Sequence, residues 1–320
     1  MKPLDFIGAI ELAYDRSTDE AAWLGALVKA VGPAFEVGPA PVSAFFFDIR
    51  DESAHLSTVA SVGEERYTRD HFEQQHAAAE APHRIVYECD MFTLLSRVVG
   101  KEMTTRTIEA SGMKGEDSLG LRCNMTPDRG IMVTTLVPWG HRIRQRGLWT
   151  RFAAHVGSAL RLRRMQAAPT PDAAAAVLDA DGRFEHGNAE TVAARQVISS
   201  AAKNMDRARG KMRRLDPDAA SELWRTMVRG EWSLVDWYDH DGKRFLLAQE
   251  NRIPAPAPKP LSEREKQVVA CAAMGHSNKL IAYDLGLSTG TVSVLLGRAA
   301  AKLGVPDRVG VIRAYREGTA

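Results

Sequence analysis

The sequence has few cysteines and no long apolar run. Its three cysteines, Cys89, Cys123 and Cys271, are far apart, which excludes a disulfide framework and a paired-cysteine metal site. No stretch approaches the length of a membrane span, and the first residues lack the apolar core of a signal peptide. We therefore expect a cytoplasmic protein that makes no contact with a membrane.

The motifs of common enzymes are also missing. The chain has no glycine-rich phosphate loop, no His-Glu-x-x-His sequence and no Gly-x-Ser-x-Gly elbow. Its nine histidines are dispersed; His71 and His76 could share a helix face, but no third metal ligand is near them. We therefore predict no enzymatic activity, no metal and no cofactor, although an enzymatic first half supported by no motif remains an alternative.

The whole chain has little net charge, but its last part is positively charged. The chain carries a formal charge of +2, whereas residues 259–320 contain nine basic and five acidic residues. The last sixty residues are therefore positive and the rest slightly negative. This distribution is typical of a module that binds a phosphate backbone and is attached to another domain.

Proline marks the clearest boundary. Residues 253–260 alternate proline with other residues, which fixes the backbone in an extended form and predicts a linker. Residues 1–166 have the pattern of an α+β domain: two helices, a hairpin that includes Phe45–Phe47, helices over 64–80 and 88–111, a second hairpin and a long helix over 141–165. This order resembles that of GAF-like sensor domains.

Residues 171–252 begin a second α+β pattern. Asp181-Gly182 and Asp241-Gly242 are tight-turn signals between apolar strands, and helices fill the middle of the segment. The opening resembles a PAS domain, and a plain α+β spacer is the alternative. A signal, either a small molecule or a protein, is expected to act on this N-terminal region.

Residues 261–320 show the start and stop signals of four short helices. Ser262 and Glu265 have the spacing of a capping box, and Ser277 and Ser288 can cap the next two helices. Gly286 lies in the turn between them. The third helix has one apolar stripe, formed by Val292, Leu296, Ala299 and Leu303. The segment is predicted to be a helix-turn-helix domain.

These motifs together strongly resemble the LuxR/GerE/NarL-type domain over about residues 261–316. The matching pieces are Leu261–Glu265, Gly275–Lys279, Ile281-Ala282, Leu285–Ser288, Gly290–Val292 and Lys302–Val305. The resemblance implies a four-helix fold, a bacterial transcription regulator, promoter DNA as the partner and a homodimer paired through residues 309–315. The third helix would enter the major groove.

The resemblance also implies a set of DNA contacts. Ser277, Lys279, Thr291 and Lys302 would hold phosphates, and the outward face of the third helix would point towards the groove. The full candidate set is Ser277, Asn278, Lys279, Thr289, Thr291, Ser293, Val294, Gly297, Arg298 and Lys302. For single residues the alternative stays open: Ser277 and Ser288 can be caps only, and Lys302 a solvated charge.

The reading face departs from that of many relatives. Ser293 and Leu295 occupy positions where relatives often have a basic residue and a histidine. Small and apolar side chains make few bidentate bonds to bases, so thymine methyl groups, Arg298 and DNA shape are the expected means of recognition. Two alternatives remain: a protein-interaction or dimerisation module that no longer reads DNA, and a protein similar to sigma factor region 4.

Overall fold

The computed structural model describes residues 5–35, 40–50, 54–63, 67–78, 87, 91–164, 170–229, 232–251 and 261–316. It contains two compact units, Met1–Pro254 and Ala255–Ala320. The first is α+β and the second is helical, as the sequence predicts. The proline-rich linker predicted at 253–260 lies outside the described residues.

The first unit begins with two helices and a five-stranded antiparallel sheet. The helices are α1 (Phe6–Tyr14) and α2 (Glu20–Phe35). The strands are β1 (Val42–Asp48), β2 (His55–Val62), β3 (Phe92–Leu94), β4 (Asp117–Thr126) and β5 (Arg129–Val137), in the order β2-β1-β5-β4-β3. Both predicted hairpins are present, β1 with β2 and β4 with β5.

Helices cover both faces of this sheet. On the second face lie α3 (Arg69–Ala78), α4 (Leu95–Val99) and α5 (Lys101–Ala110), and the long α6 (Arg146–Arg164) packs on the first with α1 and α2. The run Phe45–Phe47 alternates between the faces: Phe46 belongs to the core with α1, and its two neighbours to the core with α3. A strand covered on both sides is therefore continuously apolar.

The helical region expected over 88–111 is helical over Leu95–Val99 and Lys101–Ala110, but Phe92–Leu94 is a strand, and residues 88–90 lie outside the described residues. Phe92–Leu94 pairs with β4 as an edge strand, and the helical part is divided at Gly100, whose φ is +83°. Only glycine adopts this backbone conformation at low energy, so the residue ends one helix and begins another. The apolar pattern alone could not distinguish a short strand from a buried helical turn.

The rest of the first unit forms a second sheet with its own helices. Strands β6 (Ala176–Leu178), β7 (Phe184–Gly187), β8 (Trp232–Tyr238) and β9 (Arg244–Glu250) have the order β7-β6-β9-β8. Between the two hairpins lie α7 (Ala189–Ala193), α8 (Arg195–Arg207), a π-helical turn (Ala208–Met212), α9 (Arg213–Leu215) and α10 (Pro217–Arg229).

The two sheets share one apolar core. Trp224 of α10 and Leu246 of β9 lie in the same buried cluster as Phe6 and Phe152 of the first segment. Arg151 of α6 forms ion pairs with Asp218 and Glu222 of α10, with N–O distances of 2.6 Å. Residues 1–254 are thus one compact unit, and the division at 166–171 into a GAF-like and a PAS-like domain stays a prediction.

The second unit contains α11 (Glu263–Ala273), α12 (Asn278–Leu285), α13 (Thr289–Leu303) and α14 (Arg308–Arg316). Its core includes Val268, Ile281, Val292, Leu296 and Val311; of these, Val292 and Leu296 belong to the apolar stripe predicted for the third helix. No single helix in the described ranges is long and apolar enough to cross a membrane; α12 and α13 pass that test only as a pair bent by 104°.

Candidate nucleic-acid interface

The helix-turn-helix consists of α12 and α13. Ser277 and Ser288 cap these helices, and Gly286 ends α12 with φ +64° in the left-handed region. This glycine lets the chain turn sharply, and the two helices meet at 104°. Val292, Leu296 and Ala299 hold one side of α13 in the core. Its opposite side is therefore presented to solvent.

The exposed side of α13 carries most of the residues that the sequence assigns to DNA. Val294 is 53% exposed. The other exposed members of the set on this helix are Thr289, Thr291, Ser293, Gly297 and Arg298. The structure thus brings these residues onto one helical surface. Apart from Arg298 and the hydroxyl groups, the side chains on this surface are small and apolar.

Two helix N-termini lie at the edge of this surface. The Ser277 hydroxyl accepts a hydrogen bond from Leu280 N at 3.3 Å, and the Ser288 hydroxyl accepts one from Thr291 N at 3.0 Å. The N–H groups at the first two positions of a helix have no partner within it, and with the helix dipole they favour an anion. Both N-termini are thus suited to hold phosphates.

Two cations of the candidate set are exposed. Within the described part of the chain, the side chains of Lys279 and Arg298 make no hydrogen bond and no ion pair. Their charge is therefore not neutralised by neighbouring carboxylates. A cation in this state can neutralise a DNA phosphate without first leaving a protein partner.

Lys302 forms an ion pair within the unit, which neither the predicted phosphate contact nor the alternative of a solvated charge anticipated. Its Nζ lies 2.6 Å from Oε2 of Glu265, a side chain that is only 4% exposed, and Lys302 itself is 26% exposed. Burial alone would raise the pKa of Glu265, but hydrogen bonds from Lys302 and from the Ser262 backbone hold this pKa below its usual range. The Lys302 ammonium group is therefore tied to α11, and its assignment to phosphate becomes the weakest of the set.

Asn278 also has partners within the unit. Its Nδ2 donates to the Ser293 hydroxyl at 3.1 Å, and its Oδ1 accepts from Nη1 of Arg308 at 2.5 Å. The same guanidinium donates to the backbone oxygen of His276. Arg308 thus connects α14 to the N-terminus of α12, a role that sequence reasoning missed because no local pattern indicates a contact 30 residues away.

The described residues contain no group of three or more His, Cys, Asp or Glu side chains that could hold a metal ion. The arrangement of the second unit fits a polyanion instead, through helix N-termini and cationic side chains around a protruding helix.

Comparison with known proteins agrees with this geometry. Residues 259–315 match the family described as GerE, bacterial regulatory proteins of the luxR family. No curated protein matches the chain.

Solved structures that match include SdiA of Escherichia coli in space group P6522, at 10% identity and TM-score 0.30, covering 95% of this chain and 93% of that one. SdiA in complex with octanoyl-rac-glycerol matches at 11% identity and TM-score 0.29, covering 100% and 98%. Similarity at this level supports no argument about the first unit. The family match does identify the second: residues 259–315 form a LuxR-family regulatory domain with a helix-turn-helix.

Proposed function

We propose that this chain is a LuxR-type transcription regulator that binds promoter DNA in the bacterial cytoplasm as a homodimer and has no enzymatic activity. The observation that carries the proposal is the exposed face of α13, flanked by two capped helix N-termini and by the unpaired cations Lys279 and Arg298. In this arrangement α13 enters the major groove while α12 and its N-terminus bind the backbone.

Each candidate residue has a role in the proposal. Lys279 and the N-terminus of α12, with Ser277 and Asn278, lie at one phosphate, and Thr289 and Thr291 at another. Ser293, Val294, Gly297 and Arg298 face the bases, where Arg298 can bind guanine and Val294 can contact thymine methyl groups. Lys302 reaches a phosphate only if its ion pair with Glu265 opens.

Dimerisation is assigned to α14. Val309 is 64% exposed and Tyr315 is 40% exposed on this short helix. Pairing of two copies through α14 would cover both side chains and double the number of DNA contacts, which compensates for the plain reading face. A Val309→Glu variant is expected to weaken self-association in analytical ultracentrifugation.

Control by the N-terminal unit is the second part of the proposal. This unit contains a cavity between the first sheet and helices α3–α5. A pocket lined mainly by apolar side chains with a few polar groups is typical of small-molecule sites. We assign the sensing of a signal to this unit.

Genome-wide mapping of bound DNA tests the proposal. Wild type is expected to occupy discrete promoters, and Arg298→Ala to lose most of this occupancy because the variant removes the longest polar side chain of the reading face. Arg264→Ala, which removes one exposed cation from α11, is the matched control and is expected to keep the wild-type pattern. Equal occupancy by all three proteins would refute the assignment of α13 as the reading helix.

One alternative has support in the structure. The face of α13 contains exposed Val294 and Gly297, which suit contact with another protein as well as contact with DNA. A protein-interaction or dimerisation module that no longer reads DNA would show this composition. In the mapping experiment it would give no enriched sites for the wild type.

A further inference from the structure

The residues that the structure describes cover the second face of the first sheet incompletely. On β4, which lies inside the sheet between β5 and β3, Leu119, Leu121 and Cys123 are buried on one side. The alternate residues Ser118 and Gly120 remain half-buried on the other. A cavity of about 80 Å³ occupies this place, between the sheet and the helices α3 to α5. An interior strand that keeps one face partly open leaves room for a molecule that is not part of the fold.

Gly120 forms the floor of this cavity. A Cβ atom at this position would meet only the Met132 sulfur, at 3.2 Å, and the φ of Gly120 is not positive. Neither a turn nor a close backbone approach therefore requires glycine here. A glycine inside a strand weakens it and often marks a place where a ligand approaches closely. The missing side chain keeps the floor of the cavity open.

The surface of the walls is mainly apolar, and two pairs of polar side chains in the lining are hydrogen-bonded to each other; Gln75, Thr93 and Thr107 are further neutral polar side chains there. The apolar residues are Phe45, Phe72, Met91, Leu95, Val98, Val99 and Met132. Ser118 Oγ and Thr134 Oγ1 are 2.9 Å apart, so one of these hydroxyl groups keeps a proton to donate. Ligands with a hydroxyl or carbonyl group can therefore form a hydrogen bond at the strand side.

The second polar pair is fixed. His76 Nδ1 lies 2.6 Å from the Phe72 backbone oxygen, which can only accept, so this nitrogen carries the proton. In the neutral imidazole, His76 Nε2 then accepts from the Tyr87 hydroxyl at 2.6 Å. Burial raises the pKa of Tyr87, which keeps the phenol neutral. This edge of the cavity is polar but uncharged.

We propose that this cavity binds a compact neutral molecule of the size of a substituted aromatic ring, with one hydroxyl or carbonyl group bonded to the Ser118–Thr134 pair. A volume of 80 Å³ holds about five to eight water-sized groups, which favours a compact ligand over a long acyl chain or a nucleotide. A charged ligand would lose hydration against the apolar walls, and the half-buried Arg122 in the lining also repels a cation; benzoate tests whether Arg122 offsets the lost hydration of an anion. This inference rests on the proposed function, because the ligand would be the signal of the regulator.

Thermal unfolding of the full chain tests the proposal, with benzyl alcohol as the probe. All six tryptophans, residues 23, 139, 149, 224, 232 and 237, lie in the first unit, so tryptophan fluorescence reports the unfolding of the unit that contains the cavity. At 5–10 mM benzyl alcohol we expect the midpoint to rise by about 2–4 °C, since a ligand that binds only the folded state stabilises it. Sodium benzoate and benzylamine, which have the same ring and a charge, are expected to give no rise.

Two variants test whether the rise in the unfolding midpoint comes from benzyl alcohol bound in the cavity. Gly120→Val fills the floor, and Val98→Trp closes the half-exposed mouth on α4; both are expected to abolish the rise. Val192→Trp, at an exposed valine on α7, is the matched control and should keep it. If Gly120→Val does not fold, Val98→Trp alone decides.

Three results would overturn the inference: no rise with the wild type, an equal rise in the cavity variants, or a larger rise with benzoate than with benzyl alcohol. The proposed function is tested separately by the DNA occupancy of the wild type. Normal promoter binding without a benzyl alcohol effect would reject the ligand class and leave the regulator assignment intact.

Discussion

Removal of the Lys302 side chain separates two roles that the sequence could not distinguish. If Lys302 binds phosphate, Lys302→Ala weakens DNA binding and leaves the domain stable. The structure predicts instead that Lys302→Ala mainly destabilises the domain, because Lys302 is paired at 2.6 Å with Glu265, a nearly buried carboxylate. Its loss leaves that carboxylate with the Ser262 backbone N–H and no cation.

The size of the effect follows from the burial of the pair. Removal of one partner of a fully buried ion pair destabilises a protein by about 3–5 kcal/mol. Lys302 is 26% exposed and Glu265 keeps one hydrogen bond, so we expect about 1–3 kcal/mol for Lys302→Ala. By contrast, Arg298→Ala is expected to stay within about 0.5 kcal/mol, because Arg298 is an exposed side chain with no partner in the described structure.

Hydrogen exchange of the full chain is the assay, because the second unit contains no tryptophan to report its unfolding. We expect the core amides of α11 and α13 to exchange roughly 5–150 times faster in Lys302→Ala, which is the factor for 1–3 kcal/mol. A double-mutant cycle of Lys302→Met with Glu265→Gln should give a coupling of about 1 kcal/mol or more. Unchanged exchange together with a loss of DNA affinity equal to that of Arg298→Ala would refute the reasoning.

Three further outcomes are expected. His155 is fully buried, and desolvation lowers its pKa to about 3, so its contribution to the stability of the first unit is complete above pH 6.5 and is lost as the pH falls from 6.5 towards 3. Guanidinium unfolding followed by tryptophan fluorescence should show that the free energy of unfolding falls by about 2.5–3 kcal/mol between pH 7.5 and 4.5. His155→Gln should flatten this dependence on pH. Gly297→Ala should slow hydrogen exchange in α13 by a factor of about 2–5, since the added Cβ meets nothing within 4 Å and alanine favours the helix. The same variant should weaken DNA binding if the DNA groove approaches this position closely. Gly25→Ala in α2 is the matched control and should have no effect on DNA binding. Ser288→Ala removes the cap of α13 and should destabilise the second unit by about 1 kcal/mol, measured by the same exchange experiment, whereas an unchanged rate would show that the cap is replaced by water.

The helix-turn-helix was predictable because its signals are local. A capping side chain and the backbone N–H from which it accepts a hydrogen bond are only three residues apart. The structure confirms the predicted caps Ser262, Ser277 and Ser288. The turn glycine Gly286 is likewise identified by the backbone conformation that the turn requires. Patterns with a period of 3.6 residues then indicate which side of each helix is buried.

The contacts that modify the site are not local. Lys302 and Glu265 are 37 residues apart, and Arg308 and Asn278 are 30 apart, so neither pairing leaves a spacing that a sequence pattern could show. The common core of the first unit is similar in this respect. Trp224 packs in the same cluster as Phe6, although the composition between them changes as if a new domain began.

A salt titration of binding to duplex promoter DNA tests the central claim most directly. Two domains that each neutralise one phosphate through Lys279 predict a slope of log affinity against log salt of about −2, and about −3.5 if Lys302 also takes part. Lys279→Ala should reduce the steepness by about 2, whereas Arg298→Ala, which removes a base contact, should weaken binding and leave the slope nearly unchanged. A slope near zero for the wild type, or no binding at low salt, would contradict the assignment of this chain as a DNA-binding regulator.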